Sequence, residues 1–468
     1  MSGSIRGLMG HAAVALVRDA VRGTPFQGRV YLVGGAVRDA LLGIPAKNDL
    51  DLVTEGDAEE LASVIHAHDR KNVGSPQTFA RFGTAMVMVA GTPVELVTAR
   101  RESYSPESRK PETQPATLLE DALRRDFTVN ALLLEIQNGE VVDLLGSGLA
   151  DLSDRILRTP RDSAGTFHDD PLRMLRAVRF RHQLGFNFAP GLAEAIQSES
   201  FRLGVISQER IRDEFAKMLL GPFPAKALDD LSRLGLLSSW APELEAMHGV
   251  SQGKWHTADV WGHTLQVVDN AAATGQAGGD RLILLLAALL HDVAKPVTRS
   301  VDANGDIRFF GHESVGAKMA AELCLRWRFS SGQASDVSLL VGSHMRLSGI
   351  KELTKPAARR IARDLGPQLE NWFLLLDADA NALKEGVRRL DLGTVRQRIT
   401  ELQTSESDSG WQSPLSGKEI MELTGIDPGP EVGRLKAEIE RLVLDGVITP
   451  GDREGAKDAL RRIISNGG

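Results

Sequence analysis

The sequence predicts a mixed α/β head followed by three all-α segments, and three observations lead to that prediction. Residues 29–145 alternate helical stretches with short β-type runs, namely Val30–Val33, Asp51–Val53, Ala85–Val89, Val94–Thr98 and Ala131–Ile136. From about residue 150 the apolar spacing becomes helical and the β signals fade. The chain has 468 residues, which is more than one hydrophobic core normally holds, so several domains are expected.

Changes in composition suggest where these domains begin and end. We expect a head over residues 1–150, a helical neck and body over 151–250, a second helical domain over 255–400 and a helical tail over 415–468. The serine-rich stretch Thr404–Pro414 is typical of a linker. Beyond it, a Pro-Gly-Pro sequence opens a predicted amphipathic helix at Glu431–Val447, and another helix is expected near the C-terminus.

Composition excludes several classes of protein. Apolar residues make up 42% and charged residues 25%, a balance that argues against disordered and fibrous chains. The single cysteine, Cys324, excludes an internal disulfide and fits a reducing compartment. The longest apolar run, Leu282–Leu290, is far shorter than the roughly 20 residues of a membrane helix. With no secretory signal visible, we expect a cytoplasmic protein with no membrane partner.

The net charge of −7 argues against binding of polyanions over the whole surface. It leaves room for a local basic groove, which the sequence predicts at four arginines with no acid among them: Arg173, Arg176, Arg179 and Arg181. A nucleic acid would therefore bind in a groove rather than on any exposed face.

A candidate phosphate site lies where the first predicted strand meets a helix. The segment from Tyr31 to Arg38 runs through a strand into Gly34 and Gly35, and the helix that follows carries Arg38. Glycines at this point let backbone amides approach a phosphate, and a helix N-terminus adds a favourable field. A plain tight turn would have the same sequence, so this motif alone is weak.

Candidate metal-binding carboxylates follow within a dozen residues. Asp49 and Asp51 are two positions apart at the start of a predicted strand, so both side chains point to one face. Mg²⁺ between them could activate an attacking hydroxyl and hold a triphosphate. Glu95, on a later strand, could supply a third carboxylate. The alternative is that Asp49 and Asp51 only face solvent.

Two further motifs complete the set. These are Arg124-Arg-Asp-Phe-Thr-Val-Asn-Ala131 and Asp169-Asp-Pro-Leu-Arg-Met-Leu-Arg-Ala-Val-Arg-Phe180. In this order, over about residues 29–220, the four motifs resemble the class II tRNA nucleotidyltransferase and bacterial poly(A) polymerase family. The resemblance implies a polymerase β-like α/β nucleotidyltransferase head with a helical neck. Arg101–Leu123 corresponds to a flexible loop that family members use in switching from C to A. Its sequence leaves open whether the enzyme adds CCA, only CC or only A.

The resemblance also implies roles for individual residues. Gly34, Gly35 and Arg38 would contact the triphosphate. The residues that would bind catalytic Mg²⁺ are Asp49 and Asp51, with Glu95 as a third carboxylate. Ribose recognition falls on Arg124, Arg125, Asp126 and Asn130. Reading of the incoming base falls on Asp170, Arg173 and Arg176, with Arg179 one turn further along. The spacing of three residues between Asp170, Arg173 and Arg176 predicts that they lie on one face of a helix. There a carboxylate and a guanidinium group could imitate a Watson–Crick edge. Arg179 could instead be an arginine that only packs in the neck.

A second candidate site lies in the helical domain. Its residues follow the order H…HD…H…H…D, which resembles the HD phosphohydrolase superfamily: His263, His291, Asp292, His312, His344 and Asp379. Asp377 is an alternative to Asp379 as the last ligand. Imidazoles and carboxylates suit divalent ions such as Ni²⁺, Mn²⁺ or Mg²⁺, and six ligands suffice for two. The alternative is a degenerate domain retained as a tRNA-binding body.

Taken together, the resemblances imply transfer of C, A or both from CTP and ATP to the 3′ end of tRNA, with release of pyrophosphate. They also imply a second phosphohydrolase activity in the HD domain. Three alternatives share much of the same sequence: a poly(A) polymerase, an enzyme that adds only CC or only A, and an HD phosphohydrolase whose head merely binds RNA. The tRNA end would be recognised by shape and backbone.

Overall fold

The computed structural model describes residues 3–45, 50–79, 83–103, 112–253, 258–350, 353–383, 391–405, 413–449 and 451–466. The chain forms two compact units, Met1–Pro242 and Glu243–Gly468. In the described part of the chain, no helix is both long and apolar enough to cross a membrane.

The first unit is built on a central mixed sheet. Its strands are β1 (Val30–Val33), β2 (Leu50–Thr54), β3 (Gln77–Phe79), β4 (Thr84–Val89), β5 (Thr92–Thr98), β8 (Leu133–Glu135) and β9 (Val141–Val142). They form seven strands in the order β3-β4-β5-β2-β1-β8-β9, and only β2 and β5 pair in parallel. All five predicted strands are therefore confirmed, with shifts of one or two residues at their ends.

Helices cover one face of this sheet and leave part of the other open. The head helices are α1 (Gly3–Met9), α2 (Ala12–Val21), α3 (Gly35–Leu41), α4 (Ala58–His68), α5 (Leu118–Leu123) and α6 (Gly148–Asp154). Leu52, Leu96 and Ala85 are register partners across three strands and are fully buried, on the face where α4 contacts β4 and β5. The residues that alternate with them point to the opposite face.

The segment with the predicted flexible loop contains regular structure. Strands β6 (Arg100–Ser103) and β7 (Glu112–Pro115) form an antiparallel hairpin, and α5 follows it. Helix α5 begins with a capping box between Thr117 and Glu120, which explains its sharp start. Residues 104–111 lie outside the described part of the chain.

The neck is helical, as predicted, apart from one short strand pair. Its helices are α7 (Ser163–Asp169), α8 (Leu172–Leu184), α9 (Leu192–Glu199), α10 (Gln208–Leu219) and α11 (Pro224–Arg233). Its core includes an edge-to-face pair between Phe215 and Trp240, with ring centroids 4.9 Å apart. Strands β10 (Ile156–Leu157) and β11 (Asn187–Phe188) pair in parallel. Two-residue strands carry no alternation that a sequence pattern could reveal.

The second unit is mainly helical. It contains α12 (Pro242–Glu245, which begins at the boundary), α13 (Val260–Ala272), α14 (Gly278–Leu290), α15 (Lys295–Thr298), α16 (His312–Arg326), α17 (Ser331–Ser343), α18 (Lys355–Leu365), α19 (Leu369–Asn381), α20 (Leu392–Ser405), α21 (Gly417–Thr424), α22 (Pro430–Leu444) and α23 (Arg453–Asn466). Helix α14 holds the longest apolar run and is accordingly buried all round from Leu284 onward. A short hairpin of β12 (Ser300–Val301) and β13 (Ile307–Arg308) departs from the predicted all-helical domain.

Two predicted boundaries in the tail are wrong by a few residues. Helix α20 continues to Ser405, so the first two residues of the predicted linker Thr404–Pro414 are helical; residues 406–412 lie outside the described part. The predicted helix Glu431–Val447 ends at Leu444, because Gly446 adopts a φ of +74° that a helix cannot continue through. Val447 is then 70% exposed.

Candidate active site and candidate metal centre

The glycine turn between β1 and α3 lies directly against a candidate catalytic carboxylate. Gly34 has a φ of +78°, a conformation that favours glycine. A Cβ atom on Gly34 would lie 3.4 Å from Oδ2 of Asp51. The turn and the carboxylate are therefore close enough to act on one ligand.

Two of the three candidate metal-binding carboxylates share one face of the sheet. Asp51 on β2 and Glu95 on β5 are register partners in the parallel pair, so their side chains point the same way. The side chain of Glu95 is exposed and that of Asp51 is half-buried. Asp49 lies outside the described residues.

Arg38 is buried in a polar cluster behind the turn. Its Nε and Nη2 atoms donate to Oδ1 of Asp39 at 2.8 and 2.6 Å, and its Nη1 donates to Oδ1 of Asn130 at 2.6 Å. The predicted triphosphate contact Arg38 is thus joined to the predicted ribose contact Asn130. The sequence analysis missed Asp39, although it is the neighbour of Arg38 in the chain.

Asp126 occupies the centre of the ribose motif as an ionised carboxylate. Its Oδ1 accepts hydrogen bonds from the amide of Phe127 at 2.8 Å and from Nδ2 of Asn130 at 3.0 Å. Its Oδ2 accepts from Nε of Arg176 at 2.8 Å. Burial alone raises the pKa of Asp126, but Arg176 and Asn130 outweigh it and lower that pKa to about 2.

Arg124 and Arg125 are held by a carboxylate that the sequence analysis missed. Both guanidinium groups bond to Asp121, Arg124 to Oδ1 at 2.6 Å and Arg125 to Oδ2 at 2.8 Å. Asp121 precedes them by three and four residues, a spacing that could have indicated the pairing. The structure therefore pairs these two arginines with Asp121 and also pairs Arg124 with the backbone carbonyl of Arg100.

The predicted helical face of the base motif is wrong for its first residue. Asp170 precedes α8, with an extended φ of −138° and ψ of 96°, because the residue before a proline avoids the helical conformation and Pro171 follows. Its Oδ1 accepts from the amide of Leu172 at 3.2 Å, and its Oδ2 accepts from Arg210 at 3.0 Å. Asp170 therefore caps α8 and does not stand on its face.

Arg173 lies inside α8 and is only 7% exposed. Its Nη2 donates to the backbone carbonyl of Arg124 at 2.7 Å, which ties the base motif to the ribose motif. The carbonyl of Thr166 lies 3.5 Å from Nη1 of Arg173. Both contacts come from the backbone, and sequence patterns do not reveal them.

Acidic residues from distant positions pair with three of the four arginines in the predicted basic groove: Arg176, Arg179 and Arg181. Glu214 on α10 accepts from Nε of Arg179 at 2.6 Å and lies 3.8 Å from Nη1 of Arg176. Asp230 lies 3.2 Å from Nη1 of Arg181. Burial alone raises the pKa of Glu214, but Arg179 outweighs it and lowers the pKa.

The contacts around Phe180 form one continuous chain, here called the arginine network: Arg38, Asn130, Asp126, Arg176, Glu214 and Arg179. Three guanidinium groups lie over the Phe180 ring, at distances from its centroid of 4.9 Å for Arg38, 5.2 Å for Arg176 and 4.2 Å for Arg179. The network joins the candidate triphosphate, ribose and base contacts in a single cluster.

The second unit brings the predicted HD residues together. Two triads share one carboxylate: His263, His291 and Asp292 form one, and Asp292, His312 and His344 form the other. In each triad the candidate ligand atoms lie within 4.8 Å of one another.

The aspartate near residues 377–379 that joins this cluster is Asp379. Its Oδ1 lies 3.0 Å from Nε2 of His263 and 3.9 Å from Nε2 of His291. Asp377 interacts instead with Arg396 and Glu370, and burial raises its pKa. The geometry therefore favours Asp379 over Asp377.

The histidines are oriented as metal ligands usually are. Nδ1 of each of three rings bonds to the carbonyl three residues earlier: His291 to Ala288 at 2.8 Å, His312 to Phe309 at 2.8 Å and His344 to Val341 at 2.6 Å. A carbonyl only accepts, so Nδ1 carries the proton and Nε2 offers a lone pair. Such backbone bonds fix the tautomer of a metal-binding histidine.

The charges also fit a divalent ion. Burial and His291 lower the pKa of His344 to about 4, which keeps that ring neutral. Burial opposes ionisation of Asp292, but His291 and Lys295 hold its pKa well below the usual range. The Nε2 atoms of His312 and His344 lie 3.3 Å apart, beside Oδ1 of Asp292. Imidazole Nε2 atoms beside a carboxylate are a donor set that suits a divalent ion.

Lys295 is a charged neighbour of this cluster that the sequence analysis missed. Its Nζ lies 2.6 Å from Oδ2 of Asp292 and donates to Oε1 of Gln252 at 2.5 Å. The helical offset of three residues from Asp292 was visible in the sequence, but nothing indicated that both side chains point inward.

Comparison with protein families assigns most of the chain. The family described as Poly A polymerase head domain matches residues 30–158, and the one described as Probable RNA and SrmB-binding site of polymerase A matches residues 185–247. The HD domain family matches residues 260–382. A nucleotidyltransferase head and an HD domain both imply the use of divalent metal ions.

Two curated relatives span almost the whole chain. The A-adding tRNA nucleotidyltransferase of Deinococcus radiodurans is 33% identical over 442 residues, which cover 91% of this chain and 94% of that protein. The CC-adding tRNA nucleotidyltransferase of Thermus thermophilus is 35% identical over 423 residues, which cover 88% of each. The CCA-adding enzyme of Geobacillus thermodenitrificans is 38% identical over 227 residues and matches 48% of this chain.

Solved structures share the fold. The Bacillus stearothermophilus CCA-adding enzyme in complex with CTP has a TM-score of 0.66 and 23% identity, with coverage of 100% of this chain and 99% of that one. A tRNA nucleotidyltransferase complexed with a primer tRNA and an incoming ATP analog has a TM-score of 0.57 and 24% identity, with coverage of 81% and 96%. The predicted polymerase-type head and HD domain are thereby confirmed. With two relatives above 30% identity over about nine-tenths of its length, the chain belongs to the tRNA nucleotidyltransferase family.

Proposed function

We propose that this protein adds C, A or both to the 3′ end of tRNA, with CTP and ATP as donors and pyrophosphate as the second product. The observation that carries the proposal is the row formed by the Gly34 turn, Asp51 and Glu95 on one face of the sheet. The arginine network lies behind the same turn, through Arg38. This arrangement supports a site in which groups proposed to bind phosphate and metal act beside groups proposed to recognise a nucleoside.

In this proposal Asp51 and Glu95, with Asp49, hold Mg²⁺, and Gly34 and Gly35 approach the triphosphate. The metal, when bound, activates the attacking 3′-hydroxyl and neutralises charge on the leaving pyrophosphate. Asp51 accounts for the need for glycine at position 34, because a side chain there would narrow the space in front of its carboxylate.

Ribose recognition falls to Asp126 in the same proposal. A carboxylate has about four lone-pair sites, and the amide of Phe127, Nδ2 of Asn130 and both Nε and Nη2 of Arg176 occupy those of Asp126. A 2′-hydroxyl would therefore replace one of these donors, as the base is proposed to do at Arg173. Its low pKa supports this role, because only the ionised form accepts at both oxygens. Arg124 and Arg125, held by Asp121, would act by positioning the motif.

Base recognition falls to Asp170 and Arg173, supported by Arg176 and Arg179. Asp170 can accept from the exocyclic amine that C and A share, once it releases Arg210. Arg173 donates to the carbonyl of Arg124, so it would have to exchange that bond for one to the base. With these exchanges Asp170 would accept from the exocyclic amine of C or A, which U lacks, and Arg173 would donate to an acceptor on the base. The two contacts together would select C and A over G and U.

The number of nucleotides added is the open part of this function. The two relatives that match about nine-tenths of the chain are named A-adding and CC-adding, and both specificities are therefore candidates. A poly(A) polymerase shares the head family. The test uses tRNA that lacks its three terminal nucleotides and tRNA that ends in CC, each with CTP or ATP alone and together. Denaturing gels count the additions, and absence of any incorporation would refute the proposal.

A second activity is proposed for the HD centre, namely metal-dependent hydrolysis of phosphoesters. Two triads of buried ligands that share Asp292 support it, since a degenerate domain would have lost part of such a set. The residues that would hold the ions are His263, His291, Asp292, His312, His344 and Asp379. The ions supply an activated water when bound. Assays with Ni²⁺, Mn²⁺ or Mg²⁺ test the activity, and inactivity with every ion would favour a purely structural domain.

The location and the domain limits also remain proposals. Cys324 is buried and free among the described residues, and burial raises its pKa to about 12, so it is protected from oxidation. The cytoplasm is proposed as the location because a single cysteine, which cannot form an internal disulfide, fits a reducing compartment. The head, neck, HD domain and tail over 1–150, 151–250, 255–400 and 415–468 stay a proposed division, and the family matches at 30–158, 185–247 and 260–382 support it.

A further inference from the structure

A strip of exposed apolar side chains lies on the sheet face that carries Asp51 and Glu95. Phe79 on β3 is 49% exposed, and Met86 and Met88 on β4 are 40% and 46% exposed. We call these three residues the methionine strip. Single exposed apolar residues are ordinary, but neighbouring ones on one face mark an interaction surface.

Strand register places the strip beside the candidate catalytic carboxylates. Met86 is the register partner of Glu95, and Glu95 is the register partner of Asp51, so the three side chains form one row across β4, β5 and β2. Met88 lies two residues further along β4, on the same face. Strands are about 4.8 Å apart, so the backbone of Met86 lies about 10 Å from that of Asp51.

The strip and the glycine turn lie at opposite ends of this row. The turn at Gly34 follows β1, which pairs with one edge of β2, while β5 and then β4 lie along the other edge. Phosphoryl transfer needs the attacking and leaving oxygens roughly in line. If the glycine turn holds the β- and γ-phosphates, pyrophosphate leaves on that side, and the attacking RNA hydroxyl arrives from the side of β4 and β3.

We propose that the methionine strip is the surface on which the last nucleotides of the acceptor RNA rest. This inference rests on the proposed function. The backbone of Met86 lies about 10 Å from that of Asp51 and one strand spacing from that of Glu95, so the strip is within reach of the terminal bases of an RNA whose 3′-hydroxyl meets the carboxylates. Base faces are apolar and pack on apolar side chains whatever their sequence. Methionine is flexible and polarizable, so it accommodates a terminal base that changes after every addition.

The test replaces both methionines by glutamine, a polar side chain of similar length, in the full-length protein. For the double variant Met86→Gln/Met88→Gln, the KM for tRNA rises about tenfold or more, the change expected from loss of one base contact. The KM for the nucleotide and the kcat at saturating tRNA stay within about twofold, because neither carboxylate is altered. Leu149→Gln is the matched control, since Leu149 on α6 is 43% exposed and lies outside the strip.

A second measurement shows whether the RNA bases themselves are the partners. An acceptor whose last three nucleotides are abasic raises the KM of the wild type as much as the double variant does. The double variant shows no further rise with that acceptor, because the two changes remove the same contact.

Three results would overturn the inference. One is an unchanged KM for tRNA in an active, folded double variant. Another is an additive effect of the abasic acceptor and the double variant. A third is a wild type that forms a dimer and a double variant that is monomeric. The methionine strip would then bind a second copy of the chain and not RNA. Failure of the proposed function is distinguishable, because the wild type would then extend no acceptor.

Discussion

Glu214 is the residue on which the arginine network depends most, because it is the shared partner of Arg176 and Arg179. It is 4% exposed and comes from α10, whereas both arginines lie on α8. Its removal leaves two partly buried guanidinium groups with one carboxylate fewer. Loss of one partner from such an ion pair is destabilising, because the remaining charge loses its compensation.

We predict that Glu214→Gln lowers the free energy of unfolding by about 1–3 kcal/mol, because glutamine keeps a hydrogen bond but loses the charge. It also lowers the preference for CTP and ATP over UTP and GTP by about tenfold. Urea titration and single-nucleotide incorporation measure the two effects. Glu209→Gln, on the exposed side of the same helix, is the control. Unchanged selectivity would limit Glu214 to a structural role.

Asp126 is predicted to control the choice between ribonucleotides and deoxyribonucleotides. Asp126→Asn weakens the acceptor for a 2′-hydroxyl, so the ATP over dATP preference falls about tenfold or more. An unchanged preference in the folded variant would exclude the ribose role. Asn130→Ala serves as a comparison, because it removes the neighbour that bonds to Asp126 at 3.0 Å without removing the carboxylate.

The pKa of Asp126 also predicts a pH dependence of stability. Its pKa falls from an ordinary 3.8 to about 2 on folding, so the charged carboxylate stabilises the folded state above pH 4. That contribution, about 2 kcal/mol, is lost as the pH falls from about 4 to about 2. The stability difference between wild type and Asp126→Asn, measured by urea titration, therefore shrinks over this window. A difference that stays constant would contradict the predicted shift.

At the level of elements, the β1–α3 turn yields a prediction with a matched control. Gly34 and Gly28 both have positive φ angles, +78° and +72°, but only Gly34 faces a carboxylate. Gly34→Ala and Gly28→Ala should each cost about 1 kcal/mol of stability. Only Gly34→Ala should lower nucleotide incorporation, by about tenfold or more, because its Cβ approaches Oδ2 of Asp51. Equal activity of both variants would separate the turn from the active site.

The sequence predicted elements and motifs well and side-chain partners poorly, for physical reasons. Apolar runs such as Val30–Val33 depend on local patterning, and they appear where expected. Asp170 departs from its predicted helical face because Pro171 excludes the helical conformation before it, a local rule that the spacing argument overlooked. Partners such as Glu214 and Asp230 come from other helices, and no local pattern predicts which arginine a distant acid will meet.

The HD residues illustrate the same contrast at the second site. Their order along the chain predicted a cluster, and the folded unit brings all six together. The backbone bonds of His291, His312 and His344 depend on helix ends, and Gln252 approaches Lys295 from 43 residues away. Such contacts need the three-dimensional structure.

For the whole molecule, the separation of the two sites predicts separable activities. His291→Ala/Asp292→Ala removes two ligands from the HD centre in Glu243–Gly468, whereas Asp51 and the arginine network lie in Met1–Pro242. The double variant should lose metal-dependent phosphoester hydrolysis and the increase in Tm on addition of Mn²⁺ or Ni²⁺. It should still add nucleotides to tRNA at the wild-type rate. Loss of nucleotide addition in the folded variant would show that the two sites are coupled.

The arginine network has a consequence for how the enzyme becomes active during synthesis. Arg38 bonds to Asn130 across 92 residues, Asp126 to Arg176 across 50, and Arg179 to Glu214 across 35. Contacts between distant parts of a chain close late, because loop-closure entropy must be met before they form. Helices and hairpins of the head can therefore form on the ribosome well before the network closes. We therefore expect nucleotide addition only after α10 has emerged from the ribosome, because Glu214 on that helix completes the network.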